Sequence, residues 1–403
     1  MKILLLNVNA VSGSTGKIVT DIKNVLEANG HECLICYGAN DKIYRNGYCR
    51  ICSELERRVN AAISRITGIV HGKFLPFSFY RLKKVVKQWH PDIVHIHCPN
   101  GYIIDLFKTL EYIAKSNIKT VLTNHAEYFY TGGCGYAFDC DKWLAGCKNC
   151  PVLKSKIGLD VSKIEWNKFK KVFDLFDKKN IIITSVSPWV SDRALQSLSL
   201  SRFCNEVVLN GIDTNIFMVR EVSKRVKHRL PQNKPIVLHA TASFTTENSS
   251  IKGGFWIREL AKRMPEVNFV VACSFKGIIE DLPNNVYLWG RTNNQEELAE
   301  LYNAADVTVL TSKRETFSMI VAESLCCGTP IVGFKAGGPE SITIPEYSSF
   351  IDYGEIASLE IALDNTLNRQ TDKDSVSYAA IDKYSKYAMG QNYINIYNRL
   401  IIG

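Results

Sequence analysis

Residues 312–332 read SKRETFSMIVAESLCCGTPIV, and the fold follows from how this stretch is parsed. The apolar run from Phe317 to Cys327 has the length of a helix, Ser318 stands near its start, and Gly328 followed by Pro330 stops it. The preceding ADVTVLTS (305–312) and the following PIVGF (330–334) have the short, bounded apolar pattern of buried strands. Strand, turn, helix and strand make a βαβ unit. Such units take ligands beyond the carboxyl ends of their strands, where the N–H groups of a helix N-terminus are free. Glu315 falls at that place. A carboxylate there also favours the helix dipole without any ligand, so its position alone decides nothing. Glu323 is more informative. It sits among Ile320, Val321, Ala322 and Leu325, and an acid on an apolar helix face costs several kcal/mol unless something hydrogen-bonds it.

Both halves of the chain repeat this grammar. KILLLNV (2–8), ECLICYG (32–38), IVHIHC (93–98), KTVLTNH (119–125) and IIITSVS (181–187) are strand-like, and GKIVTDIKNVLEANG (16–30) is a helix stopped by Gly30. PIVLHAT (235–241), NFVVACS (268–274) and VYLWG (286–290) precede the two strands already named. Alternating strands and helices build doubly wound parallel sheets. A chain of 403 residues exceeds one core, so two Rossmann-like α/β domains facing a central cleft are expected. The joint is expected near VVLNGIDTNIF (207–217), where Asn-Gly and Ile-Asp mark a turn.

The net charge of +9 is uneven. Residues 1–205 hold 29 Lys+Arg against 17 Asp+Glu, whereas residues 206–403 hold 20 against 23. A basic half beside a near-neutral one points to an anionic partner for the first half. LERRVNAAISRITGIVHGKF (55–74) and FYRLKKVVKQWH (79–90) mix basic and aromatic residues as an interfacial helix does, although snorkelling lysines on a solvated face give the same pattern. Nucleic acid is not expected, since no recognition signature accompanies the charge. The N-terminus reads as a first strand rather than a signal peptide, and no stretch has the length of a membrane span. A cytoplasmic protein is expected, with the inner face of the cell membrane as a possible peripheral site.

Several motifs in order resemble those of retaining GT-B glycosyltransferases of family 4. SGSTGKI (12–18) is similar to that family's glycine-rich first loop, LNGIDTNIF (209–217) to its interdomain segment, and IKGG (251–254) to the Lys-Gly opening its second domain. NVYLWGRTNNQEELAELYNAADVTVLTS (285–312) with ETFSMIVAESLCCGTPIV (315–332) resembles its donor signature, including the two glutamates. The resemblance implies an acceptor-binding domain over 1–205 and a donor-binding domain over 206–383. It also implies a C-terminal helix over 384–403 that returns to the first domain.

The implied reaction moves a hexose from a nucleotide-diphosphate sugar to a cell-surface polysaccharide or lipid-linked oligosaccharide, with retention. Breaking the sugar–phosphate bond places negative charge on the diphosphate. Lys252 and the N–H groups near Phe317, Ser318 and Met319 are suited to stabilise it. Glu323 would accept the ribose hydroxyls and Glu315 the hydroxyls of the donor sugar. Gly13 and Gly16 would let the first loop approach the diphosphate or the acceptor, or simply form a tight βα turn. His125, in TNHAEYF, is implied to contact the transferred sugar, while His95 and His97 read as core. The family's usual arginine upstream of Lys252 is replaced by Thr246; Arg291 and Arg314 are candidate substitutes. No catalytic metal is implied. A GT-B nucleotide-sugar epimerase and an inactive sugar-nucleotide-binding module remain the alternatives.

Thirteen cysteines without a signal peptide do not read as a disulfide scaffold. Cys33-x2-Cys36 and Cys49-x2-Cys52 have a zinc-like spacing, but Cys33 and Cys36, three residues apart on one strand, point to opposite faces, so this cluster reads as structural. CGYAFDCDKWLAGCKNCP (134–151) differs. Cys134, Cys140, Cys147 and Cys150 lie in one loop, 131–151, that ends in a tight C-x2-C and suits a structural Zn, with disulfides or free thiols as alternatives. The same cysteines resemble a subset of capsule and colanic-acid type members, in which Ala126 is an Asp. The loop has too few apolar residues to offset its ordering entropy, which is a further reason to expect a metal.

Overall fold

The computed structural model describes residues 1–402 except 40, 44, 73, 151, 154, 276–278 and 280. Residue 151, the expected end of the cysteine loop, therefore lies outside the described residues. The chain divides into two units, Met1–Gly211 with Met389–Gly403, and Ile212–Ala388. These boundaries fall a few residues beyond 205 and 383, for local reasons. Val208 N–H donates to the Ser185 carbonyl, and Gly211 N–H to the Met389 sulfur, which ties residues 208–211 to the first unit. Ile212 N–H donates to Tyr384, Lys386 N–H donates back to Ile212, and the Lys386 ammonium meets Asp213 at 2.6 Å. Those bonds hold residues 385–388 to the second.

In the first unit, strands β1 (Lys2–Asn7), β2 (Glu32–Tyr37), β3 (Tyr48–Arg50), β4 (Ile93–Ile96), β5 (Lys119–Asn124), β6 (Ile181–Ser185) and β7 (Cys204–Val207) form one parallel sheet. Their order is β3-β2-β1-β4-β5-β6-β7. Sequence reading misses β3 and β7. Both are short edge strands, YCR and CNEV, which pair on one side only and need no apolar run. Alternate residues of β1 enter two cores. Leu4 and Leu6 join Val94, Ile96 and Leu122 on one face. Ile3 and Leu5 join Ile18 and Ile22 of the helix Gly13–Ala28, and Tyr393 and Tyr397 of the helix Lys386–Ile402, on the other. Cys33 and Cys36 fall into these two separate cores, as the period of a strand requires.

The second unit repeats the arrangement with β8 (Ile236–Ser243), β9 (Asn268–Ser274), β10 (Val286–Gly290), β11 (Val307–Leu310), β12 (Ile331–Phe334) and β13 (Ser348–Ile351). All are parallel, in the order β10-β9-β8-β11-β12-β13. The edge strand β13, SSFI, is also unforeseen and has only half-buried residues. In both sheets the order reverses beside the first strand, between β1 and β4 and between β8 and β11. Ligands of open α/β sheets bind at such a reversal, beyond the carboxyl ends of the strands.

Candidate functional site

The loops after β8 and β11 are tied to each other. Lys313 N–H donates to the Ile251 carbonyl at 2.8 Å, and the Thr311 hydroxyl to the Gly253 carbonyl at 2.9 Å. Gly253, at φ +72°, is in the left-handed region, and a Cβ there would fall on the Thr311 carbonyl. The glycine therefore lets the two loops touch, which brings Lys252 to Glu315. The Lys252 ammonium lies 2.7 Å from a Glu315 carboxylate oxygen, and both side chains remain partly accessible. Glu315 is fixed from its backbone. Its N–H donates to Ala336 and its carbonyl accepts from Gly338, where any Cβ would collide with Thr316.

The helix after Glu315 runs Met319–Cys326, two residues shorter at its start than the apolar run implies. Ser318 is its N-cap, at φ +75°, an uncommon conformation for a residue with a side chain. The Ser318 Oγ is buried without a hydrogen-bond partner. Phe317 is a core side chain, so only its backbone can serve a ligand. Glu323 does not face the sheet, as its apolar neighbours suggest. It is half-buried, accepts a hydrogen bond from the Tyr302 hydroxyl at 3.1 Å, and lines a pocket of about 380 Å³. Burial, and then the Glu323 charge, push the Tyr302 hydroxyl well above its usual pKa, so it stays protonated and donates.

That pocket lies where β8, β9 and β10 end, with Thr241, Ser274, Arg291 and Thr292 on its walls beside Tyr302 and Glu323. Arg291 is thus the candidate cation that borders the pocket, and Arg314 is not among its lining residues. Sequence reasoning missed Tyr302, Thr241 and Ser274. A roomier cleft of about 500 Å³ is lined by Pro330, Ser348 and Arg369. It lies at the amino ends of β12 and β13 and holds none of the expected residues.

In the first unit, Gly13 begins the helix after β1 at φ +71°, and a Cβ on Gly16 would stand 2.9 Å from the Val11 carbonyl carbon. Gly16 is therefore needed by the loop's own turn. The Asp41 carboxylate accepts from Ala10 and Val11 N–H at 2.6 and 3.0 Å and holds that loop. His125 follows β5, with Nε2 at 3.0 Å from His97 Nδ1. Desolvation pushes the His125 pKa down to about 4, so the ring is neutral near pH 7. His95 and His97 are fully buried; His95 bridges Tyr397 and Thr123.

The cysteine loop is better supported than its composition implies. Trp143 is buried, and the Arg193 guanidinium lies over the rings of Trp143 and Trp189 at 4.7 and 4.9 Å. Buried Glu127 accepts from Arg193 Nε at 2.6 Å and from Ala137 N–H at 2.7 Å. Packing around Trp143 and Glu127 thus contributes to ordering the loop, beside whatever a metal would add. All thirteen cysteines are free thiols.

A family model described as Glycosyltransferase Family 4 matches residues 15–216, and one described as Glycosyl transferases group 1 matches residues 263–383. The chain belongs to glycosyltransferase family 4. Among relatives of this family 4 glycosyltransferase is WcaC of Escherichia coli (strain K12), whose name places it in colanic acid biosynthesis as a glycosyl transferase. It is 20% identical over 99% of this chain and 100% of its own length. Two solved structures share the fold. Sucrose-phosphate synthase from Thermosynechococcus elongatus superposes with a TM-score of 0.69 at 15% identity, covering 100% of this chain and 99% of its own. HepE of Anabaena, solved in complex with UDP, gives 0.65 at 16% identity, covering 99% and 100%. The family 4 glycosyltransferase has two Rossmann-like domains of the GT-B type. Among the described residues, no helix is long and apolar enough to cross a membrane.

Proposed function

We propose that this glycosyltransferase takes a hexose from a nucleotide-diphosphate sugar and adds it, with retention, to a growing cell-surface polysaccharide or lipid-linked oligosaccharide. The observation that carries the reading is the pocket at the carboxyl ends of β8–β10, walled by Glu323 and Tyr302 in the same unit as the Lys252–Glu315 pair. The nucleoside would occupy this pocket, with its ribose hydroxyls on Glu323. The diphosphate would draw Lys252 away from Glu315, freeing the carboxylate for the hydroxyls of the sugar. The backbone N–H groups of Phe317, Ser318 and Met319 would face the same phosphates.

In the transfer, the bond between the anomeric carbon and the phosphate oxygen breaks and its electron pair stays on that oxygen. Lys252 stabilises the charge that develops. The acceptor hydroxyl attacks from the face the diphosphate leaves, and a departing phosphate oxygen takes its proton. No protein nucleophile is required. His125, neutral near pH 7, would hydrogen-bond the transferred sugar rather than offer it a charge. The loop at Gly13 and Gly16 would border the diphosphate or the acceptor.

Support for an acceptor at a membrane comes from the helices Glu54–Thr67 and Phe77–Trp89. Leu55, Ile66, Phe77 and Tyr80 are exposed on them together with Arg58, Arg65, Lys84 and Lys87. Glu56 joins the two helices, accepting from Ser78 N–H and Arg81 at 2.7 Å each. Apolar side chains among cations suit an anionic lipid surface, and so a peripheral site on the cytoplasmic face. A thermal-shift screen of nucleotide sugars tests the central reading. A true donor at 100 times its dissociation constant adds about 2.7 kcal/mol of stability. If no nucleotide or nucleotide sugar stabilises the protein, the reading fails.

A further inference from the structure

Cys134, Cys140, Cys147 and Cys150 all line one small cavity of about 30 Å³, with Trp143 and Leu153 among its apolar walls. This convergence is not imposed by regular structure, since the segment that carries the four includes only one short helix, Lys142–Ala145. A cavity of this size holds about one water-sized particle.

Two of the sulfurs are met by backbone donors. Gly132 N–H points to the Cys147 Sγ at 3.1 Å, and Leu153 N–H to the Cys150 Sγ at 3.4 Å. N–H donors aimed at sulfur are the outer contacts that hold cysteine ligands in place around a metal. Gly132 can make this approach because it has no side chain. A Cβ there would stand 2.8 Å from the Cys147 Cβ and 2.6 Å from the Ser162 carbonyl oxygen. Charge is matched too: four thiolates and a dication leave an excess of two negative charges, and Lys142 and Lys148 are also on the cavity wall.

We propose that these four thiolates close on a single Zn²⁺ inside this cavity, forming a structural site separate from the chemistry of transfer. Among the described residues, no three Cys, His, Asp or Glu groups already stand as a metal set. Binding therefore draws the sulfurs inward to about 2.3 Å from the ion, by side-chain rotation. Cys140 is exposed and has the most freedom to swing in. Four sulfurs complete a tetrahedron and leave no position for water or substrate, so the ion pins the loop and takes no part in catalysis. Each thiol loses its proton to solvent on binding, and no electron is transferred.

The test uses the full, tag-free chain purified with a phosphine reductant and no chelator. Elemental analysis is expected to find about one Zn per chain. Cys140→Ser, at an exposed position that is not needed for packing, and Cys147→Ser should each lose most of that zinc. Cys204→Ser, an exposed cysteine outside the set, should keep it. Replacing Zn by Co²⁺ should give the strong sulfur-to-cobalt absorption of a tetrahedral thiolate site, absent in Cys140→Ser. The proposal is overturned by substoichiometric zinc with all four thiols freely titratable, by disulfides between them in the purified chain, by iron in place of zinc, or by zinc retained in both variants. Binding of UDP by the second unit is read alongside. It should be unchanged in Cys140→Ser, so a failure of the zinc site and a failure of the donor reading are told apart.

Discussion

Replacing Glu323 by Ala tests the donor site at its most informative point. In the structure this carboxylate accepts a hydrogen bond from the Tyr302 hydroxyl at 3.1 Å and opens onto a pocket of about 380 Å³. A carboxylate accepts up to about four hydrogen bonds, so a ribose can be added without displacing Tyr302. Hydrogen bonds to a charged acceptor contribute about 1.5–3 kcal/mol, which converts to a loss of roughly 10- to 150-fold in affinity for a nucleoside diphosphate. The variant also leaves a buried tyrosine hydroxyl without its acceptor, which destabilises the fold by about 1–3 kcal/mol. Tyr302→Phe separates the two effects, because it leaves the carboxylate for the ribose and removes only its support. Its affinity loss should be several-fold smaller. The assay is titration calorimetry with UDP, ADP and GDP at fixed salt, on variants shown by circular dichroism to be folded. If folded Glu323→Ala binds the preferred nucleotide as tightly as the unmodified chain, Glu323 does not hold the ribose and the pocket assignment is wrong.

Three further outcomes are expected. Lys252→Ala should weaken UDP binding about 10-fold, or about 1.4 kcal/mol, by removing a cation from the diphosphate, whereas Glu315→Gln should lower kcat more than it lowers UDP affinity; equal losses of UDP affinity would contradict the sugar-facing role of Glu315. Binding to vesicles rich in anionic lipid should fall steeply as salt shortens the screening length below about 10 Å, and Arg58→Glu with Lys84→Glu should abolish it; salt-independent binding, or none, leaves those helices as solvated faces. Folding stability should decline as pH falls from about 6.5 towards 4. His125 and His239 are each pushed down to about 4 by burial, so the unfolded chain takes up protons through that window while the folded chain does not. Urea titrations at pH 7, 6 and 5 measure this, and a stability independent of pH over that range would show that these rings are not held neutral by the fold.

How much of this was legible in the sequence depends on where the information lies. The inner strands announce themselves because a strand buried on both faces must be apolar throughout, as in KILLLN and IVGF. The edge strands β3, β7 and β13 escape notice because their partly exposed faces carry Arg50, Glu206 and Ser349. Lys252 and Glu315 were found through family motifs, but their 2.7 Å contact depends on two loops joined by Thr311 and Gly253, a pairing that no local pattern encodes.

Tyr302 illustrates the opposite failure. In QEELAELYNA it reads as one more apolar residue on the buried face of a helix, and it is indeed fully buried. Its hydroxyl matters only because the helices Gln295–Ala304 and Met319–Cys326 pack side by side, which places an acid where a tyrosine needs an acceptor. An acid that an apolar helix tolerates must have a partner, and in this chain the partner is protein as well as any ligand. His97 and His125 carried a usable signal. IVHIHC and KTVLTNH occupy neighbouring parallel strands with Ile96 opposite Leu122, so His97 lies opposite Thr123 and only one alternation from His125. Once those strands are taken as neighbours, the pleat alone brings the two rings within reach, and the observed 3.0 Å contact follows from register rather than from chemistry.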